Sequence, residues 1–390
     1  MSITYDQLLA AAERGDPAAQ DLLAQVCEQN GRLDEALAWW MKSAKAGFPA
    51  AHAKLGLWQL VGFKIPQNLA DGVARIVAAA NAGDELGLRL ATVIDAGGVG
   101  TARNTPRALS WLVKGAKAGD AHAACQLGLL TGLKGPNAPL AQAAMAVAAA
   151  DEFEPARRIL GHAPARPSSV NWDVLETTAD LSVFEAPLRR EVISDAPAIS
   201  IVHDLLPGWL CDYVVAMGEP ALQRGMIVNE TGGESVEDVR SNRVMHFGLA
   251  DSDLLLELIN HRLAEVAGLP TENGEGLGVL HYAPGERYAP HVDYIPETPA
   301  NARHLAERGQ RIRTVLVYLN EDFEGGATEF PRLDLKFKPA KGSALVFDSV
   351  TADGSVDPMT LHTGAPPTSG EKWIISKWFR TRALRPTSAG

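Results

Sequence analysis

The chain has 390 residues, of which 46% are hydrophobic and 21% charged, and it carries a formal net charge of −11. That length predicts two domains, and that composition excludes collagen-like and disordered classes. No basic stripe favours a nucleic-acid partner, and no apolar run is long enough to span a membrane.

Residues 1–20 hold no basic stretch followed by an apolar core, so no signal peptide is expected. Cys27, Cys125 and Cys211 are too widely spaced for a disulfide framework or a zinc site. Reduced, buried thiols in a cytoplasmic protein are the expectation. Residues 1–160 balance 15 basic against 15 acidic side chains, so the whole negative excess falls in 161–390.

The first 160 residues repeat. Ala44-Lys45-Ala46-Gly47, Ala80-Asn81-Ala82-Gly83 and Ala116-Lys117-Ala118-Gly119 recur every 36 residues. Trp39 and Trp111 precede their glycines by eight residues, and Leu55-Gly56 and Leu127-Gly128 follow. An alanine-rich period of this size predicts a solenoid of helical hairpins, with the glycines ending helices in a left-handed conformation. The pattern resembles Sel1-like repeats, relatives of the tetratricopeptide family. The resemblance implies a protein-interaction surface; simple packing against the second domain is the alternative. His52 and His122 occupy corresponding repeat positions and read as packing residues.

Residues 161–195 read as a linker and edge segment. A Pro/Ser/Gly cluster fills 161–169, and Val183-Phe184 with 191–193 suggests an edge strand. A domain over 196–384 follows, then a tail, 385–390. Its opening strand at 199–206 leads to helices over 210–217 and 252–267. Short β-rich runs then fall at 278–282, 313–319, 335–337, 343–347 and 373–379. The pattern predicts an α+β domain built on a sandwich or jelly roll. The polar loop 229–238 reads as an exposed loop or a lid.

His291-Val292-Asp293 and the distant His362 have the spacing of a two-histidine, one-carboxylate triad, which leaves open positions on Fe(II). Alternate residues on a strand share a face, so His291 and Asp293 can grip one ion. Lys372 opens the last strand and shares a face with Ile374, Ser376, Trp378 and Arg380. An ammonium turned inward needs an acidic partner. A keto-diacid such as 2-oxoglutarate supplies one, chelating iron at one end and meeting Lys372 at the other.

Four ordered stretches, 282–294, 309–320, 325–331 and 361–373, resemble the prolyl 4-hydroxylase branch of the Fe(II)/2-oxoglutarate dioxygenases. The resemblance covers roughly the last half of the chain. It implies a double-stranded β-helix (jelly roll) in which His291, Asp293 and His362 ligate Fe(II). Lys372, with the hydroxyls of Tyr282 and Thr328, would bind 2-oxoglutarate. Tyr288, Arg311 and Trp378 fall at the family's catalytic and substrate-pocket positions, and Arg240-Ser241 matches part of its Arg-x-Ser motif. O2 is the implied oxidant, with ascorbate an accessory reductant that the family allows. Ala327, Asp348 and Pro367 depart from the family pattern, which bears on the substrate rather than the cofactors. Asp293 is intact, which argues against a halogenase. The expected function is hydroxylation of prolyl residues in a peptide or protein recruited partly by the repeats. Hydroxylation of a free amino acid or small metabolite, and a non-catalytic repeat adaptor, are the alternatives.

Overall fold

The repeated alanine-glycine phrase acts as a helix stop. Gly47, Gly83 and Gly119 have φ of +82°, +81° and +99°, values at which a side chain would be strained. An aspartate follows two of them and starts the next helix. Asp84 accepts a hydrogen bond from the Gly87 amide at 2.7 Å, and Asp120 from the His122 amide at 2.8 Å. The chain therefore reverses at each phrase. Leu33–Lys45 pairs with Pro49–Val61, Leu69–Asn81 with Glu85–Gly97, and Thr105–Ala118 with Ala121–Thr131. Shorter pairs flank them, Tyr5–Glu13 with Pro17–Gln29 and Ala138–Ala150 with Glu154–Leu160. The Leu-Gly element lets helices touch, since a Cβ on Gly56 would sit 2.8 Å from the Gly72 carbonyl oxygen. The computed structural model describes residues 4–162, 164–225, 227–228, 234–235 and 240–384. The tail and most of the loop 229–238 lie outside the described residues.

The second half is built on two facing sheets. Across the larger run Arg189–Asp195, Ala198–His203, Ala344–Asp348, Arg311–Tyr318, Lys372–Arg380, Leu277–Tyr282, Arg243–Phe247 and Gln223–Arg224. The smaller holds Leu335–Phe337, Thr328–Phe330, His362–Gly364 and Tyr288–His291. All the paired strands are antiparallel. Strand alternation gives the large sheet two buried faces. Leu280, Leu316, Tyr318, Phe347 and Ile374 meet Phe330 and Phe337 of the small sheet. Val279, Val315, Val317 and Ile375 face the helices Gly208–Gly218 and Leu254–Ala267. The expected jelly roll is therefore present.

That second face continues without a break into the solenoid. One apolar cluster joins Ala96, Leu109, Leu112 and Leu130 of the repeats to Leu254, Leu255 and Leu258 of the long helix. Polar groups lock the contact. His122 Nε2 lies 2.9 Å from Asp253 Oδ2, and the Tyr213 hydroxyl donates to the same oxygen at 2.5 Å. Gln126 accepts from the Leu254 amide at 3.1 Å, filling an orphan position at that helix's N-terminus. His122 is thus a packing residue, and the repeats do pack on the sheet-bearing half.

The segment between the halves is not a free tether. Leu175, in the helix Trp172–Thr178, is fully buried in the shared core. The expected edge strand is half correct. Arg189–Asp195 is the edge of the large sheet, whereas Ser182–Phe184 forms a single 3-10 turn. Asp180 accepts from the Ser182 amide at 2.9 Å, and this local cap holds the turn against extension. Among the described residues, no helix is long and apolar enough to cross a membrane.

Deleting residues 4–160 is expected to leave residues 161–384 unable to fold cooperatively. Exposing each large aliphatic side chain costs about 1.5–3 kcal/mol, and a few of them exhaust a net stability of about 5–15 kcal/mol. Thermal unfolding followed by circular dichroism checks this. A fragment with a sharp transition near that of the full chain would contradict it.

Candidate active site

The small sheet brings the two histidines together. His362 is the cross-strand partner of His291, and directly opposed side chains on one face lie side by side. Their rings are 4.3 Å apart, centre to centre. The strand stops at His291, so Asp293 sits in the bend just past it rather than on the strand as expected. It still reaches the pair: Asp293 Oδ1 is 3.7 Å from His291 Nε2, and Oδ2 is 3.7 Å from His362 Nε2. The three donor groups lie within 4.8 Å of one another.

Hydrogen bonding sets the imidazole tautomers. His291 Nδ1 faces the Ala289 carbonyl at 2.8 Å, and His362 Nδ1 faces the Thr360 carbonyl at 2.9 Å. A carbonyl only accepts, so each Nδ1 carries a proton and each Nε2 is turned toward Asp293. Burial, then the neighbouring His362, lowers His291 to a pKa of about 3, so its ring is neutral. Burial alone would raise Asp293, but the two imidazoles and the Thr314 hydroxyl, 2.6 Å away, outweigh it and hold the carboxyl below its ordinary range. Two imidazoles and a carboxylate converging on one point fit a ferrous ion.

Lys372 lies at the other end of the same cavity. Its side chain is fully buried, and its ammonium has no hydrogen-bond partner among the described residues. Two rings flank it, Tyr282 at 5.1 Å and Tyr318 at 5.2 Å from Nζ. Burial lowers its pKa to about 7. Thr328 lines the cavity too, and its hydroxyl lies 2.7 Å from that of Tyr318. An orphaned ammonium beside hydroxyl-bearing side chains fits a carboxylate.

Aromatic side chains line more of the cavity, and cations pack on them. Tyr288 stacks on His291 at 3.5 Å, and the Arg240 guanidinium lies over the Tyr288 ring, 4.7 Å from its centre. Trp378 lines the cavity and its indole N–H, buried, has no acceptor among the described residues. Arg311 packs on the Trp378 ring at 4.0 Å. Its guanidinium donates to both carboxylate oxygens of Glu275, at 2.5 and 2.8 Å. Burial would raise Glu275, but Arg311 and then Arg380 overcome it and bring the carboxyl to a pKa of about 2.

A model of the 2OG-Fe(II) oxygenase superfamily matches residues 277–380. Prolyl 4-hydroxylase 1 of Arabidopsis thaliana is 36% identical over 211 residues, covering 50% of this chain and 73% of the plant protein. The chain belongs to the prolyl 4-hydroxylase family. It is a 2-oxoglutarate-dependent dioxygenase, and the family uses Fe(II), 2-oxoglutarate and O2. A viral collagen prolyl hydroxylase from Paramecium Bursaria Chlorella virus-1, solved with 2-oxoglutarate, is 26% identical. It aligns over 47% of this chain and 96% of its own, with a TM-score of 0.37. A Sel1 repeat protein from Oxalobacter formigenes is also 26% identical, over 30% of this chain and 92% of its own, with a TM-score of 0.28.

Several residues of this dioxygenase escaped the sequence reading. Thr314 steadies Asp293, Tyr318 holds Thr328, and Glu275 restrains Arg311. Thr314 and Tyr318 were within reach, because they share the cavity face of one strand with Leu316. A threonine in an otherwise apolar strand run is itself a signal. The departure at Asp348 has a structural role: its carboxylate holds Arg313 at 2.8 Å, and Arg313 in turn caps the Ala267 carbonyl at the end of the long helix.

Proposed function

We propose that this dioxygenase hydroxylates prolyl residues in a peptide or protein, and that the repeats help to recruit that substrate. The observation that carries the reading is the ammonium of Lys372, buried without a hydrogen-bond partner in the cavity that also holds the His291, Asp293 and His362 donors. In this reading those three groups hold Fe(II). Lys372 takes the distal carboxylate of 2-oxoglutarate, helped by Tyr282 and Thr328, and Tyr288 and Trp378 form the substrate wall with Arg311 behind. Iron, the keto acid and O2 together supply decarboxylation coupled to insertion of one oxygen atom into a C–H bond. The protein's part is to bind, orient and exclude water. Three buried, unpaired cysteines suit a reducing cytoplasm.

Poly-L-proline and free L-proline, each incubated with the Fe(II)-loaded protein and 2-oxoglutarate, separate the peptide reading from the small-molecule one. Mass spectrometry is expected to find a gain of one oxygen atom on the polymer. Oxygen gained by free proline alone would overturn the proposal.

The low pKa of Lys372 gives a pH dependence with a definite sign. The amine loses its proton above about pH 7 in the unliganded protein, while a bound carboxylate requires the ammonium. Affinity for 2-oxoglutarate should fall as pH rises, by up to about tenfold per unit. Stability of the unliganded chain moves the other way. Between about 7 and the ordinary lysine value of 10.5 the unfolded state binds the extra proton, so stability rises with pH in that window. Calorimetric titration of 2-oxoglutarate at two pH values either side of 7 checks the first claim. Equal affinities would count against Lys372 as the anchor.

A further inference from the structure

We propose that Lys377, which faces away from the cavity, is a positioning residue that fixes the substrate wall through Glu275. This rests on the reading of Trp378 as part of that wall. Lys377 is fully buried on the helix side of the strand Lys372–Arg380. Its ammonium donates to Asn260 Oδ1 at 2.9 Å and to the Glu275 backbone carbonyl. Fully buried lysines are rare, and a hydrophobic residue at this position would satisfy the packing without the cost of burying a charge. The contacts that this lysine makes state its task.

Glu275 lies before the strand Leu277–Tyr282, in a segment that is held from every side. Its amide donates to the Trp378 carbonyl at 2.8 Å, and its carbonyl receives Lys377. Gly274 admits the lysine, because a Cβ there would come 2.6 Å from Lys377 Cε. The Glu275 carboxylate then reaches to the cavity side and accepts from both Arg311 and Arg380. Arg311 packs at 4.0 Å on Trp378. One residue thus links the two faces of the sheet: Lys377 sets the Glu275 backbone, Glu275 sets Arg311, and Arg311 backs the Trp378 ring. Asn260 ties the same assembly to the long helix on which the solenoid rests. Its neighbour His261 reaches the Ala96 carbonyl of the repeats at 3.1 Å.

Lys377→Met keeps the length and apolar body of the side chain and removes its donors. The chain has eight tryptophans, so protein labelled with 5-fluorotryptophan gives resolvable 19F resonances, with Trp378 assigned from Trp378→Phe. Lys377→Met is expected to shift or broaden the Trp378 line and leave the lines of the solenoid tryptophans in place. With poly-L-proline, KM should rise on the order of 10–100-fold, as a displaced positioning group allows, while KM for 2-oxoglutarate stays within about twofold. An unmoved Trp378 line overturns the proposal, as does a shift of every tryptophan line, which makes the lysine a general fold residue. If the wild-type protein leaves poly-L-proline untouched, the prolyl reading fails, and the 19F result still decides the role of Lys377. Should Lys377→Met not fold, Asn260→Ala removes an acceptor of its ammonium and is expected to move the Trp378 line alone.

Discussion

Replacing His291 by alanine is expected to abolish substrate-dependent succinate formation and leave the fold standing. The His291 ring contributes one of three donors, and nothing else among the described residues presents a further His, Cys, Asp or Glu to the same point. Loss of the ion removes the chemistry that the protein's own side chains cannot supply, so the rate should fall at least about 10³-fold, a modest part of typical enzymatic accelerations. The structural loss is small by comparison. The ring gives up one hydrogen bond, to the Ala289 carbonyl, and a stack on Tyr288. Together these are worth about 1–3 kcal/mol. Succinate assays with and without substrate, run beside thermal unfolding, check both halves. Full turnover by a folded His291→Ala protein would refute the metal assignment.

Lys372→Met should act on stability and function in opposite directions. The wild-type amine is buried without a hydrogen-bond partner, and its low pKa reports the cost of that burial. An apolar chain of similar length removes the cost, and such replacements stabilise by about 1–4 kcal/mol. The same change leaves the distal carboxylate of 2-oxoglutarate without a counter-charge. Losing one partner of a buried charge pair costs about 2–5 kcal/mol, which is roughly 30-fold or more in affinity. A higher melting temperature with a collapsed 2-oxoglutarate affinity is therefore expected, from calorimetry on the same preparation. Lower stability together with unchanged affinity would place the lysine outside the cosubstrate site.

How much of this was legible in the sequence depends on the distance over which each feature is made. Alternation along a strand is local, so Lys372 in phase with Ser376 and Trp378 could be read directly, and His291 and Asp293, two residues apart, meet although the strand ends at His291. The solenoid was legible for the same reason, since each glycine must bend the chain in the same way. The Gly-Asp junctions at 83–84 and 119–120 add a cap that the reading passed over. Contacts between distant segments were not legible. Glu275 meets Arg311 and Arg380 only because three separate stretches converge at one end of the sheet. The junction of His122, Tyr213 and Asp253 depends on how the solenoid docks. Arg311 shows this most clearly, since its position in the family pattern gave no sign of the contacts it makes with Glu275 and Trp378.

The metal donors and the buried ammonium line a single cavity, which makes them one site rather than two. The most direct measurement is an anaerobic titration of the metal-free protein with Fe(II), followed by 2-oxoglutarate, with the visible spectrum recorded at each step. A keto acid chelated to ferrous iron gives a charge-transfer absorption that neither component gives alone. The wild-type protein should develop it at one equivalent of each, and Lys372→Met should require far more 2-oxoglutarate to reach the same intensity. No charge-transfer band in the wild-type protein, or identical titration curves for the two proteins, would contradict the account.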